Sequence, residues 1–125
     1  MEITELRVGN LIYMNVTDGW VIRPIKVNEF LALYKHPEWA KPIPLSEEIL
    51  LKVGFEKKSF YVVGVGNCLK WELDGFTLLK NLQNNFYIPT MPKNIVLETL
   101  HKLQNAYYYM NNYQELNTSG LTKND

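Results

Sequence analysis

A chain of 125 residues with 46% hydrophobic and 13% aromatic content has the size and composition of one folded domain, which excludes a disordered segment. Its 13 Lys and Arg balance 13 Asp and Glu, and only Arg7 and Arg23 carry guanidinium groups, so the strong cationic field of a dedicated phosphate binder is excluded. The single cysteine, Cys68, excludes an intrachain disulfide and suits a reducing compartment. Met1 to Glu5 is neither basic nor followed by a long apolar run, and no stretch approaches membrane-spanning length. The expectation is a soluble cytoplasmic protein without a membrane partner.

In chain order, a first strand is expected between Leu6 and Met14, broken locally at Gly9-Asn10. Asp18-Gly19 is a hairpin signal, since both residues tolerate positive φ. Trp20 to Val27 is the returning strand, and Pro24 within it predicts an edge position or a bend. Asn28 is a candidate cap for a short helix from Glu29 to Tyr34; a strand over 28–35 is the competing reading. His36 to Pro44 contains three prolines and reads as a connection.

The segment from Lys41 to Glu56 is the best marked. Ser46 is an N-cap, because its hydroxyl can accept from a first-turn N–H. Glu47 and Glu48 place negative charge at the positive end of the helix dipole. Leu45 and Leu50 have hydrophobic-staple spacing. Gly54 can stop the helix in the left-handed conformation, with Phe55 folding back onto Leu50. A helix this short is unstable alone and must dock.

Phe60 to Val65 predicts a strand, and Gly66-Asn67 a turn. Leu69, Trp71 and Leu73 alternate with Lys70 and Glu72, the period of a half-buried strand. Asp74-Gly75 closes a second hairpin, which brings Phe76 and Leu78 opposite Leu73 and Trp71. Asn81 to Asn85 reads as a loop and Phe86 to Ile88 as a last strand. The C-terminal helix is expected to start between Pro92 and Ile95, with Val96, Leu100, Leu103, Tyr107 and Met110 as its core stripe. His101 is expected on the helix surface, bonded to a neighbour. The fold class is α+β: one mostly antiparallel sheet, a long C-terminal helix packed across it and one or two short helices. Residues 1–116 form the single domain, and 117–125 a flexible polar tail.

Chemistry-bearing patterns are sparse. His36, His101 and Cys68 are far apart and make no short ligand pair, so no metal site is assigned. Cys68 beside an alternating strand reads as core or half-buried, and neither histidine is placed with it as a base; no catalytic residue is assigned. Val63 to Asn67 fails the G-x-G-x-x-G pattern, because Leu69 stands at the third glycine position and a strand pattern follows, so no cofactor is assigned. Lys52, Lys57, Lys58 and Lys70 are candidate nucleic-acid contacts. Tyr107-Tyr108-Tyr109 points in three directions about 100° apart, so one element cannot bury all three rings. Tyr107 belongs to the core. Tyr108, Tyr109, Asn105, Lys102 and Asn112 are the candidate partner-binding residues, with exposed tyrosine as the anchor.

Three segments carry a resemblance: Glu5 to Asn10, Pro42 to Phe55, and Leu100 to Tyr108. They resemble a family of small uncharacterised proteins of phages, prophages and mobile elements, whose members show "ELRIGN", "PIPLTEEWLLKFGF" and "HQLQNLYFALTGEEL" in the same order. The resemblance spans nearly the whole chain. Here Ile49 stands where the family has Trp, and Tyr108 to Asn112 replaces Phe-Ala-Leu-Thr-Gly. The helix-stopping glycine is thereby lost, which predicts a longer helix. The resemblance, with the missing catalytic groups and surplus tyrosine, implies a non-catalytic accessory protein that binds a host protein or ribonucleoprotein in the bacterial cytoplasm. Its sharpest form is an anti-CRISPR-like inhibitor of bacterial immunity. The alternative is a small RNA- or DNA-binding domain built on the N-terminal hairpin and the lysines, with a hydrolase or transferase as the more remote one; self-association is a further use of the tyrosines.

Overall fold

Two antiparallel sheets share one chain of α+β type. The computed structural model describes residues 3–16, 19–90 and 93–122. Strands β1 (Leu11–Val16), β2 (Gly19–Pro24) and β3 (Ala40–Lys41) form the first sheet in the order β2-β1-β3. Strands β4 (Glu56–Val62), β5 (Gly66–Leu73), β6 (Phe76–Lys80), β7 (Phe86–Ile88) and β8 (Ile95–Leu97) form the second in sequential order. The expectation of one sheet is corrected here. Pro42 and Pro44 lack the N–H that a ladder needs, so the chain leaves the first sheet after Lys41 and begins another beyond the Ser46 helix.

The first hairpin runs in register from Leu11 opposite Pro24 to Val16 opposite Gly19. Asp18 of the hairpin signal lies outside the described residues. Pro24 ends the edge strand β2, where its missing donor breaks no internal ladder. Residues Val27–Glu29 form a 3₁₀ turn and α1 follows at Phe30–Lys35, so the helical reading of 28–35 holds. The cap is supplied by Glu29 rather than Asn28: its carboxylate accepts from the Lys26 backbone N–H at 2.9 Å and also pairs with Arg23.

Helix α2 (Glu47–Lys52) follows its sequence marks closely. Ser46 Oγ accepts from Ile49 N at 3.2 Å. Gly54 has φ of +104°, and Phe55 N donates to Leu50 O at 3.0 Å. This pair of features is the Schellman ending that the glycine allows. The Asp74-Gly75 hairpin is likewise as expected, with Trp71 opposite Leu78 and Leu73 opposite Phe76.

The C-terminal helix departs from expectation at both ends. Ile95–Leu97 forms β8, pairing with β7 from Phe86–Leu97 to Ile88–Ile95, so α3 covers only Leu100–Met110. Pro92 lies outside the described residues. Thr99 takes an extended conformation before the first turn. At the other end the helix does not run on: Asn112 adopts φ of 55° and Tyr113 N donates to Tyr108 O at 2.8 Å. Asparagine tolerates the left-handed conformation next best after glycine, so the stop survives.

The main core gathers Leu50, Val53 and Phe55 with Trp71, Phe76, Leu78 and Phe86 and with Leu100, Leu103 and Tyr107 of α3. A second cluster, Leu6, Ile12, Met14, Ile25, Leu33 and Ala40, lies on the other side of β1. Strand β1 alternates Leu11 and Tyr13 into one with Ile12 and Met14 into the other, so both its faces are covered. Two residues of the expected helix stripe are corrected: Val96 is on β8 and exposed, and Met110 is exposed. The 117–125 stretch, expected as a tail, carries α4 (Ser119–Thr122) against α2 and β2, with Leu116 buried just before it. Gly120 is required there, since a Cβ would lie 2.4 Å from Lys52 O.

Candidate protein-contact surface

The first turns of α3 are joined to the Glu5–Asn10 loop by polar side chains. Gln104 Oε1 accepts from Leu11 N at 2.7 Å. Asn10, fully buried, donates from Nδ2 to Asn105 Oδ1 at 2.8 Å and accepts at Oδ1 from Arg7 N at 2.7 Å. Asn105 Nδ2 donates to Glu5 O at 2.9 Å. His101 is 1% exposed, with Nε2 3.3 Å from Glu5 Oε2, so it is a buried histidine rather than the surface one expected. Burial pushes its pKa down, against the pull of Glu5. The Pro42–Leu45 segment docks on the same place: Leu100 N donates to Ile43 O at 2.8 Å and Leu45 N to Glu98 O at 3.0 Å. The Glu5–Asn10 loop, the Pro42–Leu45 segment and the start of α3 thus meet in one place. Asn105 Oδ1 and Nδ2 are engaged within this junction, while His101 Nδ1 is buried with no hydrogen-bond partner among the described residues.

At the other end of α3 the side chains turn outward. Tyr107 stays in the core, its hydroxyl donating to Asp74 Oδ2 at 3.0 Å; burial, with the Asp74 carboxylate, raises its pKa. Tyr108 is half-buried under the Arg7 guanidinium, 4.0 Å from the ring centre. Tyr109 is 63% exposed, and the neighbouring Tyr113 is 68% exposed. The rings of Tyr108, Tyr109 and Tyr113 pack edge to face with centroids 5.4, 5.5 and 6.2 Å apart. Asn112 makes this cluster possible by turning the chain so that Tyr113 folds back over Tyr108. Tyr113 itself has φ of 60°, an unfavourable conformation for an aromatic residue. Lys102 is half-buried two turns earlier on the side of Tyr109.

Tyr113 belongs to this surface although the sequence did not mark it, and Met110, expected in the core stripe, is exposed. Met110 fell on the apolar stripe of an ideal helix, and the stripe ends only because the chain turns. The signal for Tyr113 was its spacing from Tyr108: it is the residue that a Schellman ending at Asn112 brings back.

The candidate nucleic-acid lysines are each matched by a carboxylate. Lys52 meets Glu48 at 3.1 Å, Lys57 meets Glu47 at 2.7 Å, and Lys58 and Lys70 share Glu72 at 3.0 and 2.7 Å. Glu72 is held below its usual pKa by Lys70 and Lys58, and Glu47 by Lys57; Glu72 in turn raises Lys58. With Glu56, 3.9 Å from Lys58, these residues form a neutral, solvated lattice over α2, β4 and β5. Cys68 is half-buried on β5, and His36 is stacked on Trp39 with ring centres 4.0 Å apart. Among the described residues no three His, Cys, Asp or Glu side chains gather as a metal-binding group. No helix among them is long and apolar enough to cross a membrane. No family model, curated protein or solved structure matches the chain.

Proposed function

We propose that the chain is a non-catalytic accessory protein of a phage or mobile element that binds a host protein through the tyrosine cluster at the end of α3. The observation that carries this reading is a packed trio of tyrosine rings, two of them exposed, held by Arg7 and by a backbone turn at Asn112. Tyrosines fixed in this way offer large contact area at little entropic cost, and such residues dominate binding energies. The positive φ of Tyr113, unfavourable for an aromatic residue, adds support, because strain of this kind clusters at functional surfaces. The resemblance to mobile-element proteins supplies the setting: the bacterial cytoplasm, with inhibition of host immunity, in the manner of an anti-CRISPR, as the most specific form. Nucleic acid is the weaker reading, since Lys52, Lys57, Lys58 and Lys70 already face carboxylates.

The test is affinity capture from a bacterial host lysate with the intact chain and with a Tyr109→Ala/Tyr113→Ala chain. The expected result is one stoichiometric protein, retained by the first and lost by the second. Capture of RNA or DNA alone, eluted by moderate salt, would contradict the proposal. So would capture that the two substitutions leave unchanged.

A further inference from the structure

The second sheet divides at β6. Phe76, Thr77 and Leu78 pair with β5, whereas Leu79 and Lys80 pair only with β7. Strand β5 continues past Trp71 to Gly66, bonded to β4 on one side and, among the described residues, to no strand on the other. The two strands therefore part above Trp71 and leave a fork. A cavity of about 410 Å³ occupies it, within the range of small ligand sites. One wall is Asn67, Cys68 and Leu69 of β5 with Phe60 of β4, and the other is Leu79, Lys80 and Tyr87. Lys80 is the single charged residue of the lining, and unlike the four lysines of β4, β5 and α2 it forms no ion pair among the described residues; its ammonium sits 5.1 Å from the Phe86 ring centre.

We propose that this fork binds an extended peptide segment of a partner protein, one that carries an acidic residue beside an apolar one. The free edge of β5 offers backbone donors and acceptors spaced for a strand, which only another extended backbone can match along its length. Phe60, Leu79 and Tyr87 seat the apolar side chain, and Lys80 sets the charge complementarity by drawing the carboxylate. A single strand of nucleic acid is disfavoured, because one unpaired cation does not track a phosphate backbone. The fork and the tyrosine cluster are separate surfaces, so this site stands or falls independently of the one proposed above.

The experiment uses a random peptide library displayed on phage and selected against the full-length protein. Enrichment of sequences pairing Asp or Glu with an alternating apolar residue is expected. A selected peptide, added free, should slow alkylation of Cys68 by N-ethylmaleimide about tenfold and protect amides in 66–70 and 79–81 from hydrogen exchange. Lys80→Glu, at an exposed position and with its fold checked by circular dichroism, should weaken that peptide about tenfold or more. The proposal is overturned if no sequence is enriched, or if the selected peptides leave Cys68 reactivity unchanged and lose binding on Tyr109→Ala instead. It is equally overturned if a single-stranded oligonucleotide, and no peptide, protects the fork.

Discussion

The guanidinium of Arg7 reaches four partners: Asn105 Oδ1 at 3.1 Å, the Glu115 carboxylate at 2.6 Å, Gln104 O at 3.4 Å and the face of Tyr108. A lysine has neither the planar fork nor the reach to serve these together. Arg7→Lys should therefore cost about 1–2 kcal/mol in urea unfolding, and a cost within error would show that the contacts are decorative. His101 gives a pH dependence with a defined sign. Its folded pKa lies below the ordinary 6.5, so the neutral form is favoured by folding. The stability it contributes is complete above the unfolded value and is lost as pH falls through 6.5 toward the depressed folded value, by up to about 1.4 kcal/mol per unit. The groups facing it are Glu5, which opposes the shift, and Lys102, which adds to it. The lowered carboxylates Glu47 and Glu72 titrate below this window. Urea midpoints at pH 7.5 and 5.5 should thus differ for the natural chain and converge for His101→Gln. An equal drop in both would assign the effect elsewhere.

At the scale of elements, the ending of α3 and the seat of α4 make predictions. Asn112→Gly should be neutral or stabilising, whereas Asn112→Ala should cost about 1 kcal/mol and loosen Tyr113, read by thermal unfolding and by Tyr113 ring resonances. Equal stability of the two variants would refute the left-handed stop. Gly120→Ala should push α4 away from Lys52 O, and hydrogen exchange over 119–122 should quicken while the core is unchanged. Helix α2 was legible in advance because Ser46, Gly54 and Phe55 settle it within a few residues. The start of α3 was not, because Ile95, Val96 and Leu97 extend the apolar pattern of the helix. Only their pairing with Phe86 to Ile88, a non-local contact, makes them a strand. Burial of His101 and Gln104 was hidden for the same reason: their partners, Glu5 and the first residue of β1, lie nearly a hundred residues earlier.

Over the whole molecule, the segments that meet at the start of α3 are scaffold. Glu5 to Asn10 and Pro42 to Leu45 both close on the N-terminal half of α3, and their polar atoms are consumed in doing so. The tyrosine cluster and the fork at β6 lie at the periphery, where the two proposals place binding. The α+β class was readable from hairpin and helix signals, but the division into two sheets was not. It depends on where two prolines eject the chain and on which strand edges meet afterwards. The tyrosine surface was half legible: Tyr108 and Tyr109 stood out by helical geometry, while Tyr113 needed the turn at Asn112.

The central claim, that binding energy resides in those rings and no reaction is performed, is tested by measuring the affinity of the captured host protein for three chains at low and moderate salt. Tyr109→Ala/Tyr113→Ala should weaken it about a hundredfold, near 2.7 kcal/mol, with little salt dependence. Lys57→Glu/Lys58→Glu should stay close to the natural chain. The reverse order, with the lysine variant abolishing binding and the tyrosine variant unaffected, would contradict the account.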